Sequence, residues 1–230
     1  MSRFSLACVL VLAALNSALN SAHALSQGLI AIIEEIDGSP PDIETMDFVG
    51  AGRVIRLGAG DTIVLSYLKS CQRETITGAT VTVGFEQSDV QGGTVNRVKV
   101  ACDGGQIEIT RELSGKTGGA IFRDSPNKAA PLLALKPQFR IYGRSPVVEL
   151  SREYAVILER VDRTGERYEL APDRQKQKDA FYDFADHDKA LTSGGVYRAT
   201  MGKVRVLFQV DIGADPGRTP VVGRLLLLPP

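Results

Sequence analysis

The chain has 230 residues with 27 basic and 27 acidic side chains, so its formal net charge at neutral pH is zero. This balance argues against a nucleic-acid-binding protein, which needs clustered positive charge. After the first 24 residues there is no apolar run of roughly 18 residues, so we expect no transmembrane segment in the remaining chain.

The first 24 residues are typical of a signal peptide. Arg3 supplies a positive charge, an apolar run follows from about residue 6 to residue 15, and residues 22–24 read Ala-His-Ala, a pattern that signal peptidase accepts. We therefore expect cleavage after Ala24 and export of the mature protein.

Short alternating segments dominate the region from residue 29 to residue 124. Apolar side chains recur at every second position in TIVLSY (62–67), ATVTV (79–83), NRVKVAC (96–102) and QIEIT (106–110). Such alternation buries one face of a strand and exposes the other. Glycine-rich turns separate the segments, so residues 25–122 are predicted to form an antiparallel β roll or barrel.

Cys71 and Cys102 are the two cysteines that follow the signal segment. A disulfide between them is the expected state in an exported protein, and it would stabilise the fold by about 3–4 kcal/mol. A zinc site would need further ligands, because His187 is the one histidine of the mature chain. Since Cys102 is in phase with Val98 and Val100, we expect the disulfide to be largely buried.

A proline-containing segment, residues 123–138, predicts a linker or crossing segment before a second β region, residues 139–230. Strands resume there at FRIYG, then on both sides of a DRTG turn, and again at GGVYRAT and KVRVLFQVD. Together these patterns predict a mainly β protein in which the N-terminal roll is followed by a β-sandwich.

Two segments of the second region leave alternatives open. Residues 172–191 are compatible with a helix, although a turn plus a short strand is favoured. The closing sequence VVGRLLLLPP, residues 221–230, predicts a buried final strand that covers the sandwich. The alternative is an exposed edge that docks onto a partner protein.

The run from Met46 to Gly84 resembles the FecR-like domains of exported bacterial proteins, in which a strand, a G-D turn and another strand repeat. The resemblance rests on Gly60-Asp61, the flanking strands and the glycine spacing. It implies a periplasmic role in sensing or scaffolding through protein–protein contacts, with another envelope protein as the partner.

The later half resembles the immunoglobulin and fibronectin type III sandwiches that often follow FecR-like domains. In such modules a turn of the form L-x-P-G-x-x-Y leads into a strand anchored by tyrosine. Leu191, Gly194 or Gly195, and Tyr197 occupy comparable places here.

Candidate catalytic groups are few, so we expect a non-enzymatic protein without a cofactor. The sequence holds no G-x-S-x-G, H-E-x-x-H or P-loop motif. His187 lies in a polar stretch that favours a solvated loop over the base of a triad. Glu34 and Glu35 are adjacent, so on a strand they should point to opposite faces and not act together in glycoside hydrolysis.

A cation site at Asp183, Asp186 and Asp188 stays open, although their spacing is not that of an EF-hand loop. The second functional hypothesis is a carbohydrate- or cell-envelope-binding module. It would need exposed aromatic side chains on one sheet face. The candidates are Tyr142, Tyr154, Tyr168, Phe181, Tyr182 and Tyr197. Their phase places Tyr154 and Tyr197 in the core, which disfavours this alternative.

Overall fold

The computed structural model describes residues 29–104, 136–172 and 181–228. The predicted signal peptide, the predicted strand at 106–110 and most of the predicted linker at 123–138 lie outside these ranges. No helix within them is long and apolar enough to cross a membrane.

The described chain is mainly β, as predicted. Its first half contains β1 (Ala31–Asp37), β2 (Phe48–Val49), β3 (Val54–Arg56), β4 (Thr62–Tyr67), β5 (Gln72–Thr77), β6 (Thr80–Thr82), β7 (Asp89–Gln91) and β8 (Thr94–Lys99). Its second half contains β9 (Phe139–Gly143), β10 (Val147–Glu149), β11 (Val156–Arg160), β12 (Arg167–Leu170), β13 (Phe181–Asp183), β14 (Val196–Met201), β15 (Val204–Asp215) and β16 (Leu225–Leu226). Two short 3₁₀ helices lie at Phe184–His187 and Val221–Gly223.

The first half consists of two antiparallel sheets with an apolar core between them. One sheet has the order β2-β1-β4-β5-β8 and the other the order β3-β6-β7, and no barrel closes among the described strands. The core includes Ile63, Leu65 and Tyr67 of the first sheet, and Ile55 and Val81 of the second. The period-two pattern therefore placed Ile63, Leu65, Tyr67 and Val81 in the core correctly, whereas Val64 and Ser66 on the opposite face of β4 are buried as well.

The predicted G-D turn joins three loops of the first half. The carboxylate of Asp61 accepts hydrogen bonds from the backbone N–H of Gly58 at 2.8 Å and of Ser39 at 3.2 Å, while its carbonyl accepts one from Gly78 at 3.0 Å. Gly38 has a φ of 105°, and a Cβ there would lie 2.1 Å from the Asp61 carboxylate. Only glycine fits this position.

The second half is a β-sandwich-like arrangement of two further sheets. Their strand orders are β12-β11-β14-β15-β9 and β13-β10-β16. The buried hydroxyl of Tyr197 on β14 accepts a hydrogen bond from the backbone N–H of Thr192 at 2.8 Å. A tyrosine that bonds to backbone a few residues upstream, at the start of a strand, is the geometry of a tyrosine corner.

Residues 219–228, which we call the C-terminal strap, lie between the two halves. Val221–Leu228 are all buried, and β16 pairs in parallel with β10. Strap side chains also pack with Ile32 and Leu68 of the first half. The prediction of a buried final strand is confirmed, and the strap contacts the first half in addition to the sandwich.

Two burial predictions are wrong. Val98 is 44% exposed, and the Cys71–Cys102 disulfide is half-buried. The reason is that β8 is the outermost described strand of its sheet. Among the residues in phase with Val98, the apolar cluster of the strap includes only Val100 and Cys102. Tyr154 is exposed because it precedes β11 instead of pointing inward from it.

We expect the buried phenol of Tyr67 to make stability depend on alkaline pH. Desolvation by burial is the main cause that raises the pKa of Tyr67 from 10.0 to about 12, while Ser88 shares a hydrogen bond with its hydroxyl at 2.8 Å. The unfolded chain loses the proton first, so this contribution is complete below about pH 10 and falls by about 2–3 kcal/mol as the pH approaches 12.

Urea unfolding of wild type and Tyr67→Phe, measured from about pH 9 to about pH 12, tests this expectation. The variant loses the Ser88 hydrogen bond, at a cost of about 1 kcal/mol at every pH, but should show a shallower alkaline decline. Parallel pH profiles for the two proteins would contradict it.

Candidate functional site

The predicted disulfide is present. Cys71 and Cys102 are bonded, with their Cα atoms 5.7 Å apart. The bond joins the turn after β4 to the segment that follows β8. It lies beside the apolar cluster that contains the strap, which places it near the contact between the two halves.

A β-bulge in β1 brings two carboxylates to one arginine. Ile33 pairs with Leu65 and Glu35 pairs with Val64, so Glu34 is the additional residue. Arg73 donates from Nε to Glu34 Oε2 at 2.7 Å and from Nη2 to Glu35 Oε1 at 3.1 Å. The expectation that Glu34 and Glu35 point to opposite faces is therefore wrong, because a bulge interrupts the period of two.

Glu34 links the first half to the strap. Its side chain is only 2% exposed, and its second oxygen, Oε1, accepts a hydrogen bond from the backbone N–H of Val222 at 3.1 Å. A buried carboxylate is tolerated when its oxygens are paired, so this contact fixes the start of the strap against β1.

Arg224 fixes the strap to the second half. Its side chain, 3% exposed, forms a bidentate pair with Asp183 at 2.6 and 3.0 Å. It also donates to the carbonyl oxygens of Ser145 and Thr219, each at 2.8 Å. Four hydrogen bonds to a single guanidinium hold the strap, β13 and the loop before β10 in one arrangement.

These two ionic contacts border a cleft of about 440 Å³ between the halves. Its charged lining comes from Glu34, Glu35 and Arg73 on one side, and from Asp183, Asp186, Arg218 and Arg224 on the other. Met46 and Phe181, both half-buried, contribute apolar surface. At the mouth, Arg218 pairs with Asp186 at 2.6 Å while their side chains remain 78% and 49% exposed.

The three aspartates of the predicted cation site do not converge. Asp183 is engaged by Arg224 and caps the following 3₁₀ helix, Asp186 is engaged by Arg218, and Asp188 ends that helix with a φ of 52°. No group of three or more His, Cys, Asp or Glu side chains that could hold a metal occurs among the described residues. Within 172–191 the structure has the predicted short strand, β13, followed by a 3₁₀ helix, and residues 173–180 lie outside the described ranges.

The predicted aromatic candidates do not form one exposed face. Tyr197 is buried in the core, as predicted, and Tyr168 and Tyr182 pack edge-on against Phe184 at 5.2 and 5.4 Å. Phe181 contacts the ring of Phe48 at 6.0 Å. Tyr142 is half-buried and lines a smaller cleft of about 320 Å³.

His187 is exposed and stacks on the ring of Tyr182, with ring centroids 4.4 Å apart. Its exposure agrees with the prediction, although His187 lies at the end of a 3₁₀ helix and not in a loop. The imidazole therefore lies on a tyrosine ring at the surface, outside the set of residues that line the cleft.

The fold and the cleft define a mainly β protein whose two halves are joined by a buried C-terminal strap. No family model, no curated protein and no solved structure matches the chain.

Sequence reasoning missed Arg73, Arg218 and Arg224 as site residues. One signal was present for Arg224, which interrupts the apolar run VVGRLLLL. An isolated arginine within a strand that is otherwise buried must be paired, so it predicts an acidic partner elsewhere in the fold.

We expect Arg224→Met to destabilise the protein by about 3–5 kcal/mol, because Asp183 would keep a poorly hydrated charge without its partner. Arg218→Met is the matched control, since its pair with Asp186 is exposed and its loss should cost less than about 1 kcal/mol. Urea unfolding measures both variants. Equal destabilisation by the two substitutions would contradict the structural role of Arg224.

Proposed function

We propose that this protein is an exported, non-enzymatic β-rich protein that acts in the periplasm as a sensing or scaffolding module. It works through contacts with another envelope protein. The observation that carries the proposal is the outer edge of β3, where backbone groups and an apolar side chain face away from the body of the sheet.

The hydrogen-bond register defines this edge. Val83 donates to the carbonyl of Arg53 at 2.9 Å, and Leu57 donates to the carbonyl of Ala79 at 2.9 Å, so the odd-numbered residues bond to β6. Antiparallel ladders alternate, and the N–H and C=O groups of Val54 and Arg56 therefore point outward. No described strand pairs with that side of β3.

The side chains of β3 favour a protein contact at this edge. Val54 is 39% exposed, and Arg53 and Arg56 on either side of it are also exposed. Strand addition at a sheet edge uses main-chain hydrogen bonds for affinity and needs no catalytic group. A partner segment with acidic side chains would complement the two arginines.

The cleft supports binding over catalysis. Its carboxylates are held by arginines of the same cleft, in the contacts Glu34–Arg73, Asp183–Arg224 and Asp186–Arg218. Carboxylates paired in this way stabilise the fold, and the exposed carboxylate of Glu35 can recognise an incoming charge without any chemical step.

Two local geometries support the proposed relation to FecR-like and immunoglobulin-like modules. Asp61 of the G-D turn holds three loops together, and Tyr197 forms the corner contact with Thr192. The Cys71–Cys102 disulfide is compatible with an oxidising compartment outside the cytoplasm.

Capture from envelope extract with Val54→Pro tests the proposal. Proline removes the outward N–H of residue 54 and leaves the ladder bonds to β6 in place. Edge strands tolerate proline at positions whose N–H faces away from the sheet. A partner captured by wild type should fall at least about tenfold with this variant, because main-chain hydrogen bonds carry strand addition.

Val54→Thr is the matched control, since it keeps the N–H and a β-branched side chain. Thermal unfolding of all three proteins establishes that the fold is retained. Undiminished capture by Val54→Pro, or recovery of glycan without any protein partner, would contradict the proposal.

A further inference from the structure

The charges of the cleft are not balanced. Four carboxylates, those of Glu34, Glu35, Asp183 and Asp186, face three guanidinium groups. The pairs Asp183–Arg224 and Asp186–Arg218 are each neutral, so the excess negative charge lies at the β-bulge, where Arg73 is shared by two glutamates.

Glu35 carries the part of this charge that a ligand can reach. Glu34 is buried, with Arg73 on one oxygen and the Val222 N–H on the other. The Glu35 side chain is 69% exposed, and its Oε2 atom accepts no hydrogen bond from the described residues. An ion pair at this exposure is weak, so an incoming cation can bind Glu35 without disrupting the buried contact below.

Apolar surface lies within the same cleft. Met46 from the first half and Phe181 from the second, both half-buried, line it together with Glu35. Lysine and arginine side chains place their aliphatic stems along such surfaces while the charged end reaches a polar group. The volume of about 440 Å³ is within the usual range of small-ligand sites and admits one long side chain with part of its backbone.

We propose that the cleft binds a basic side chain, a lysine or arginine, displayed by the partner protein. Its stem packs on Met46 and Phe181, and its cationic end binds Glu35. That the ligand belongs to a protein rests on the proposed function. That the cleft binds a cation carried on an aliphatic chain rests on the residues of the cleft alone.

The walls of this site are fixed before a ligand arrives. The buried pairs at Glu34 and Arg224 hold the bulge, β13 and the strap in place, and the exposed pair Asp186–Arg218 lies at the mouth. A ligand therefore meets a pre-organised surface and pays little for ordering it.

The experiment uses three blocked pentapeptides with lysine, norleucine or glutamate between Gly-Ala and Ala-Gly. Amide chemical shifts of the full mature protein with its disulfide intact report binding at low ionic strength. The lysine peptide should bind at least about fivefold more tightly than the norleucine peptide and shift the amides of Glu35 and Met46. Added salt should reduce this difference.

Glu35→Gln should lower the affinity for the lysine peptide to that for the norleucine peptide. Glu86→Gln is the matched control, an exposed glutamate outside the cleft, and should leave both affinities unchanged. Equal binding of the lysine and norleucine peptides to wild type, or amide shifts confined to residues outside the cleft, would overturn the proposal.

The two proposals fail separately. If Val54→Pro abolishes partner capture while wild type shows no preference for lysine, the basic-side-chain site is wrong and the protein-binding function stands. If wild type prefers lysine at Glu35 but captures no protein, the cleft assignment stands and the protein-binding function is wrong.

Discussion

The buried carboxylate of Glu34 is the contact on which the arrangement of the two halves depends. One oxygen binds Arg73 within the first sheet, and the other accepts the N–H of Val222 from a segment 188 residues away in sequence. A buried charge must have both partners, so β1 and the strap are fixed relative to each other. The bulge in β1 is what directs Glu34 toward that contact.

The strap also carries a buried charge that must be paired, on the side that contacts the second half. Arg224 is buried within an apolar segment and is stabilised only because Asp183 and two backbone carbonyls surround it. The apolar residues of the strap supply burial against both halves, whereas the two ionic contacts determine register. Burial is non-directional, so a leucine-rich segment alone would fit in several positions. The charged contacts select one of them, which is the use of buried ion pairs that is best attested.

The sequence predicted the features that depend on local pattern. Alternation located β4, β6, β14 and β15, the Gly60-Asp61 pair located the turn before β4, and the expectation of export predicted the Cys71–Cys102 pairing. It did not predict the bulge, since an inserted residue in a strand leaves no signature when Glu34 and Glu35 are chemically alike. The sequence also did not predict that Val98 is exposed. Alternation indicates that the two faces of a strand differ, but it does not indicate how much of the apolar face other residues cover. The cleft arises from residues distant in sequence, and pairing between them becomes visible only in three dimensions.

The contrast between buried and exposed ion pairs separates the contacts that hold the two halves together from those that are open to solvent. Glu34 and Arg224 carry charges whose pairing is obligatory, since water does not replace a lost partner at 2% and 3% exposure. Glu35 and Arg218 lie in the same cleft, yet water already screens their contacts, so exchanging a partner there costs little. Under the proposed binding role, the buried residues Glu34 and Arg224 supply stability, and the exposed residues Glu35 and Arg218 are the ones open to a ligand. If the cleft binds a ligand as proposed, a substitution at an exposed position should alter binding and leave the interface between the halves intact, whereas one at a buried position should disturb the interface itself.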